Sequence, residues 1–133
     1  MIDRIMISAS VHITVGMLVL VATLAATIVS IWHARRRIAR TRWANAVLIA
    51  AQVILMAQAL IGIKLLDQGA GVLQLYIHYL GGLAPLLFFF MLYWFPLRDT
   101  RKQGWAMITV TAGAFVFALM TFAIGQAFVR GTL

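Results

Sequence analysis

Four long apolar stretches separated by short clusters of charge organise this chain. No Lys, Arg, Asp or Glu occurs from Ile5 to Ala34, from Trp43 to Ile63, from Gln68 to Leu97 or from Gln103 to Val129. Each stretch exceeds the roughly 20 residues an α-helix needs to cross a bilayer. Backbone left unpaired in lipid costs several kcal/mol per group, so spanning segments must be helices or closed barrels, and uninterrupted apolar runs of this length predict helices. The expected spans are 8–33, 43–65, 74–96 and 105–128. Short connections between them predict one all-α integral membrane domain over 1–133, a four-helix up-down-up-down bundle. The first stretch is longer than the apolar part of a signal peptide and is closed by Arg35, Arg36 and Arg37, so it is read as a retained helix.

Composition excludes a water-soluble globule. Hydrophobic residues make up 64% of the chain and charged ones 11%, against about a quarter charged in soluble domains. Eleven Lys and Arg stand against three Asp, a formal charge of +8. The charges fall in a few short clusters between the long apolar runs, which describes loops outside a membrane and not a nucleic-acid-binding face. The first connection holds Arg35, Arg36, Arg37, Arg40 and Arg42 and the third holds Arg98, Arg101 and Lys102, so both are expected on the cytoplasmic side of a bacterial or archaeal inner membrane. Only Arg4, Lys64 and Arg130 lie toward the other side, with both termini and the connection Asp67-Gln68-Gly69-Ala70-Gly71. Trp32, Trp43, Trp94 and Trp105 each fall at the cytoplasmic end of a different span, where an indole sits among headgroups. The absence of cysteine excludes thiolate metal sites, disulfides and covalent c-type haem attachment within this chain.

Polar side chains inside the apolar slab carry the candidate chemistry, because each is costly in lipid unless it faces the bundle interior and finds a partner. His12 and His78 each lie about one turn inside the outer end of a span, on helices expected to run in the same direction and to face each other diagonally. That is where facing side chains of a bundle build cofactor sites. Two imidazoles at one depth can clamp a haem iron from both faces, and each is followed four residues later, on the same helix face, by glycine, Gly16 and Gly82, leaving room for a flat macrocycle. The plainer alternative is that each histidine hydrogen-bonds to a neighbouring helix and that the glycines only let helices pack closely. Zinc is disfavoured because no third or fourth ligand lies at that depth. Lys64 is a candidate partner for haem propionates, although snorkelling to the outer headgroups is the plainer role.

The other polar residues point to less. His33 lies about 31 Å beyond His12 along the same helix and has no second histidine beside it, so it is read as an interfacial residue near the Arg cluster, free to meet anionic headgroups or a partner subunit. Asn45, Gln52, Gln58 and Gln126 suit interhelical hydrogen bonds, with a quinone headgroup as an alternative ligand. A faint internal repeat pairs the two His-x-x-x-Gly segments and sets Ala59-Leu60-Ile61-Gly62 against Phe122-Ala123-Ile124-Gly125. Two helix pairs related by a pseudo-twofold axis would place the histidines symmetrically.

His12 opening an apolar helix, Arg35-Arg36-Arg37 closing it, then Gln58-Ala59-Leu60-Ile61-Gly62, a glycine-containing outer loop and Ile77-His78-Tyr79-Leu80 together resemble one four-helix half of the haem A synthase family, over about residues 12–95. The resemblance implies haem ligation by His12 and His78, which match the two histidines of each half in that family. The sequence departs from the family in three respects. Ser8, Ala9 and Ser10 stand where the catalytic half has a carboxylate, the outer-loop cysteine pair is absent, and no second half follows. Oxidation of a haem methyl is therefore not expected.

The function expected is that of a small membrane b-type cytochrome with His12 and His78 as axial ligands of one haem b near the outer face. Two axial histidines favour electron transfer, linked to a quinone or a larger redox complex, over oxygen activation. The alternative is a haem-free accessory subunit packed onto a larger respiratory or photosynthetic assembly. A transporter ranks below both, since Pro85 after Gly81-Gly82 can at most kink the third helix.

Overall fold

A computed structural model of the chain describes residues 6–69, 76–94 and 97–132. They form four α-helices, α1 Ala9–Arg36, α2 Arg42–Asp67, α3 Tyr76–Trp94 and α4 Thr100–Val129, with no strand among the described residues. All four are long and apolar enough to cross a membrane. This is the build of an integral membrane protein.

The helices outrun the apolar stretches wherever a cap carries them further. Helix α4 starts at Thr100 instead of near Trp105 because the Asp99 carboxylate accepts the Lys102 backbone N–H at 2.8 Å, satisfying a first-turn donor. The Thr41 hydroxyl does the same for α2, accepting from Ala44 N–H at 3.3 Å. Helix α1 runs past the apolar boundary to Arg36 and closes on Arg37, whose φ of 53° is left-handed. Arg37 N–H donates to the Ala34 carbonyl and Ile38 N–H to that of His33, both at 3.1 Å, a Schellman closure. Hydrophobicity marks the depth of lipid, whereas capping decides where the helix stops. The expected ends of the third span, at 74 and 96, and Arg4, Ala70 and Gly71 lie outside the described residues.

Helix α1 packs along α2 and α4, and α3 packs along α4 and more sparsely along α2, while α1 and α3 make no backbone approach, nor do α2 and α4. The helices thus ring a common core with α1 and α3 on one diagonal. The α1 face turned inward is Gly16, Val19, Thr23, Ala26, Thr27, Ser30 and His33, and that of α4 is Gly104, Met107, Thr111, Ala114 and Ala118. Small residues at helical spacing on both let the two backbones come close. At Gly104 a Cβ would sit 3.0 Å from Ala34 Cβ and 3.2 Å from Ala34 Cα. The buried hydroxyls of Thr23, Thr27, Ser30 and Thr111 each donate to the carbonyl one turn back at 2.7–2.8 Å, so they enter the core with their donors satisfied. Leu48, Leu55, Phe89 and Met107 fill the middle. Large side chains such as Val21, Ile28, Val53, Leu60, Leu87 and Val116 point outward, as a lipid-facing surface requires.

Polar clips join the helix ends. Ile7 N–H donates to Gln68 Oε1 and Gln68 Nε2 donates to the Ile7 carbonyl, both at 2.9 Å, bringing the start of α1 to the end of α2. At the other end Arg40 N–H donates to Gln103 Oε1 at 2.9 Å, tying the first connection to the start of α4.

His33 departs from expectation. Helical phase turns it to the inner face of α1, where it is fully buried. Its Nδ1–H donates to the Val29 carbonyl at 2.9 Å. The Thr41 hydroxyl donates to its Nε2 at 3.0 Å while accepting from Ala44 N–H. Trp32 and Trp43 pack on the imidazole with ring centres 4.9 and 5.1 Å away. His33 is a strut between α1 and the cap of α2, closed to headgroups and to partners.

Candidate functional site

The first turns of α1 and α3 carry His12 and His78, and the diagonal placement of these helices brings the two imidazoles together. Their ring centres are 6.1 Å apart and their planes inclined at 56°. They face into a cavity of about 180 Å³ lined from all four helices, among others by Gly16, Leu55, Gln58, Thr121, Phe122 and Gln126. A single water needs only about 15 Å³, so the space is a ligand-scale void.

Glycines shape this site. A Cβ at Gly62 would lie 3.2 Å from His12 Cε1, and one at Gly125 would lie 3.0 Å from His78 Cε1 and 3.4 Å from its Nδ1. Each imidazole therefore lies edge-on against a bare stretch of the neighbouring helix, His12 on α2 and His78 on α4. At Gly16 a Cβ would meet the Phe122 ring at 3.2 Å and Gln58 Nε2 at 3.3 Å. The glycine of closest approach on α3 is Gly81, where a Cβ would overlap the Thr121 hydroxyl, and not Gly82, which lines the cavity with a Cβ position 4.0 Å from Thr121 Cγ2.

The two histidines are held differently. A carbonyl only accepts, so His78 Nδ1–H donates to the backbone carbonyl of Thr121 at 2.9 Å, which leaves its Nε2 with the lone pair. The Gln58 amide nitrogen donates to His12 Nε2 at 3.2 Å, which puts the ring proton of His12 on Nδ1, and that atom is buried without a partner. Gln58 Oε1 and the Thr121 hydroxyl are also buried and unpartnered. Three orphaned polar atoms thus belong to residues around one cavity, each itself shut off from accessible surface.

Of the residues singled out from sequence, His12, His78, Gly16 and Gly82 converge here. Lys64 does not line the cavity: its ammonium pairs with Asp67 at 2.7 Å. Arg130 caps the exposed end of α4. Gln58 and Gln126 of the four amides reach the site, whereas Asn45 and Gln52 do not line it. Gly62, Gly125 and Thr121 were missed as site residues, although the repeated Ile-Gly of the α2 and α4 segments was the signal for the first two. No group of three or more His, Cys, Asp or Glu side chains converges among the described residues. Two imidazoles alone suit a metal that brings its other ligands with it.

The chain matches no family model, no characterised protein and no solved structure.

Proposed function

We propose that the protein is a small membrane b-type cytochrome that holds one haem b between His12 and His78, in an up-down-up-down bundle with both termini on the outer side and the Arg-rich connections in the cytoplasm. The observation that carries this reading is the pairing of the two imidazoles across the cavity. Two imidazoles bonded to opposite sides of one metal at about 2 Å place their ring centres about 6 Å apart, and the separation here is 6.1 Å. Both rings keep the Nδ1–H, Nε2-lone-pair form that ligates through Nε2. Gly62 and Gly125 let the two imidazoles seat closely against α2 and α4.

A haem held by His12 and His78 would supply a one-electron couple. The rest is the work of this chain. The Thr121 carbonyl fixes the rotation and tautomer of His78. Leu55, Phe122 and Pro85 line the site with apolar surface. The exposed aliphatic faces anchor it in lipid, with a quinone pool or a larger redox complex as exchange partner for the electron.

A second reading rests on the His12–Gln58 and His78–Thr121 hydrogen bonds, which tie α1 to α2 and α3 to α4 without any metal, as a haem-free accessory subunit would need. The two part on stoichiometry. Protein purified from haem-replete cells should carry one haem per chain, and His12→Ala/His78→Ala none. A folded wild-type protein without haem under the same conditions would leave the accessory role.

A further inference from the structure

Around the two imidazoles the helix pairs α1–α2 and α3–α4 are arranged alike, with one difference. His12 lies against Gly62 of α2 as His78 lies against Gly125 of α4, and Gln58 and Thr121 each precede that glycine by one turn. At His78 the contact from this position is a backbone carbonyl, which cannot move without unwinding α4. At His12 it is a side-chain amide on rotatable bonds, and it binds Nε2, the atom that ligation needs, while Nδ1–H has no partner. An imidazole whose other nitrogen is anchored is oriented and made more basic as a ligand, whereas one without that anchor is neither.

From this asymmetry we infer that His78 is the permanent axial ligand and His12 an exchangeable one, released to the Gln58 amide so that a small uncharged ligand of the carbon monoxide or nitric oxide class can enter on the His12 side. The inference rests on the cytochrome reading and adds ligand binding to it. The exchange moves no proton and no electron: the lone pair of His12 Nε2 passes from iron to the Gln58 N–H, and the incoming ligand donates its own pair to iron. Gln58 lies within hydrogen-bond reach of His12 Nε2, at 3.2 Å, ready to receive it. Gly16 leaves that amide space, since a Cβ there would press on Gln58 Nε2 at 3.3 Å.

The test is haem retention and carbon monoxide titration of the dithionite-reduced, detergent-purified protein, followed by the visible spectrum, with helix content by circular dichroism as the check on folding. Wild type should take up carbon monoxide. His12→Ala should keep its haem and bind carbon monoxide at least tenfold more tightly, while His78→Ala should retain haem at least tenfold less well. Gln58→Leu should weaken carbon monoxide binding by roughly tenfold, the worth of one buried hydrogen bond, and Gln52→Leu, the same change on the same helix at an amide that does not line the cavity, should change it less than twofold. If His78→Ala does not fold, the contrast between Gln58→Leu and Gln52→Leu decides. A reduced wild type that holds haem but refuses carbon monoxide, or equal effects of the two glutamine substitutions, overturns the inference and leaves the cytochrome reading intact. A wild type without haem overturns both.

Discussion

Adding one methyl group at Gly125 tests whether the bare helix surface beneath His78 serves ligation. The new Cβ would stand 3.0 Å from His78 Cε1 and 3.4 Å from Nδ1, whereas carbon atoms in comfortable contact are about 3.5–4.0 Å apart. The imidazole must retreat by about half an ångström or more. Its Nδ1–H is bonded at 2.9 Å to the Thr121 carbonyl on the same helix, so that retreat carries the bond beyond about 3.4 Å, the range in which a hydrogen bond is lost. Loss of the hydrogen bond that orients a ligating histidine lowers metal affinity by about 10–100-fold. The bond is also present without haem, so orphaning its donor costs the haem-free protein about 1–3 kcal/mol as well, offset in part by about 1 kcal/mol of helix propensity. Gly125→Ala should therefore lose affinity and keep its fold, read as haem transfer to an excess of a soluble haem-binding apoprotein and as denaturation of the haem-free form in mixed micelles. Gly62→Ala presses on His12 at 3.2 Å but breaks no orienting bond, and its loss of affinity should be the smaller. Unchanged affinity in Gly125→Ala, or a loss in Gly62→Ala as large, would refute this reasoning.

Three further predictions concern the scaffold and are read as shifts in unfolding free energy in mixed micelles. Thr41→Ala removes the cap on Ala44 and leaves the buried His33 Nε2 without a donor, a combined cost of about 2–3 kcal/mol, and Thr41→Ser should recover most of it. Gly104→Val drives a branched side chain into Ala34 of α1 and should cost about 2 kcal/mol. Ala34→Gly should rescue it only in part, because Ala34 Cα is itself 3.2 Å from the new Cβ. Arg37→Gly relieves a left-handed residue at the end of α1 and should stabilise the protein by about 1 kcal/mol.

Much of the architecture can be read from the chain because lipid imposes one overriding rule. Backbone groups with no water to bind must pair within a helix, so four charge-free runs become four helices, and the His-x-x-x-Gly segments converge because α1 and α3 lie on a diagonal. What escaped depends on finer geometry. The hidden side of α1 is set by helical phase over the whole span, and this buries His33 at a depth where hydrophobicity alone suggests exposure. Gly81 rather than Gly82 makes the close approach because the turn of α3 aims it at Thr121, a difference of one residue that spacing from His78 does not resolve. Gly62 and Gly125 became site residues only once the neighbours of the imidazoles were known, since a glycine in an apolar helix is by itself equally a packing contact. Lys64 had two plausible roles in sequence, and a third partner, Asp67, three residues on, holds it.

The central claim, a haem held between two histidines, is tested most directly by the reduced-minus-oxidised visible spectrum of the purified protein alongside His12→Ala and His78→Ala. The account predicts a sharp b-type α-band in the wild type and its loss in each single variant, because either substitution leaves an axial position unfilled. A folded wild-type protein with no such band, or a band that survives in both variants, would contradict it.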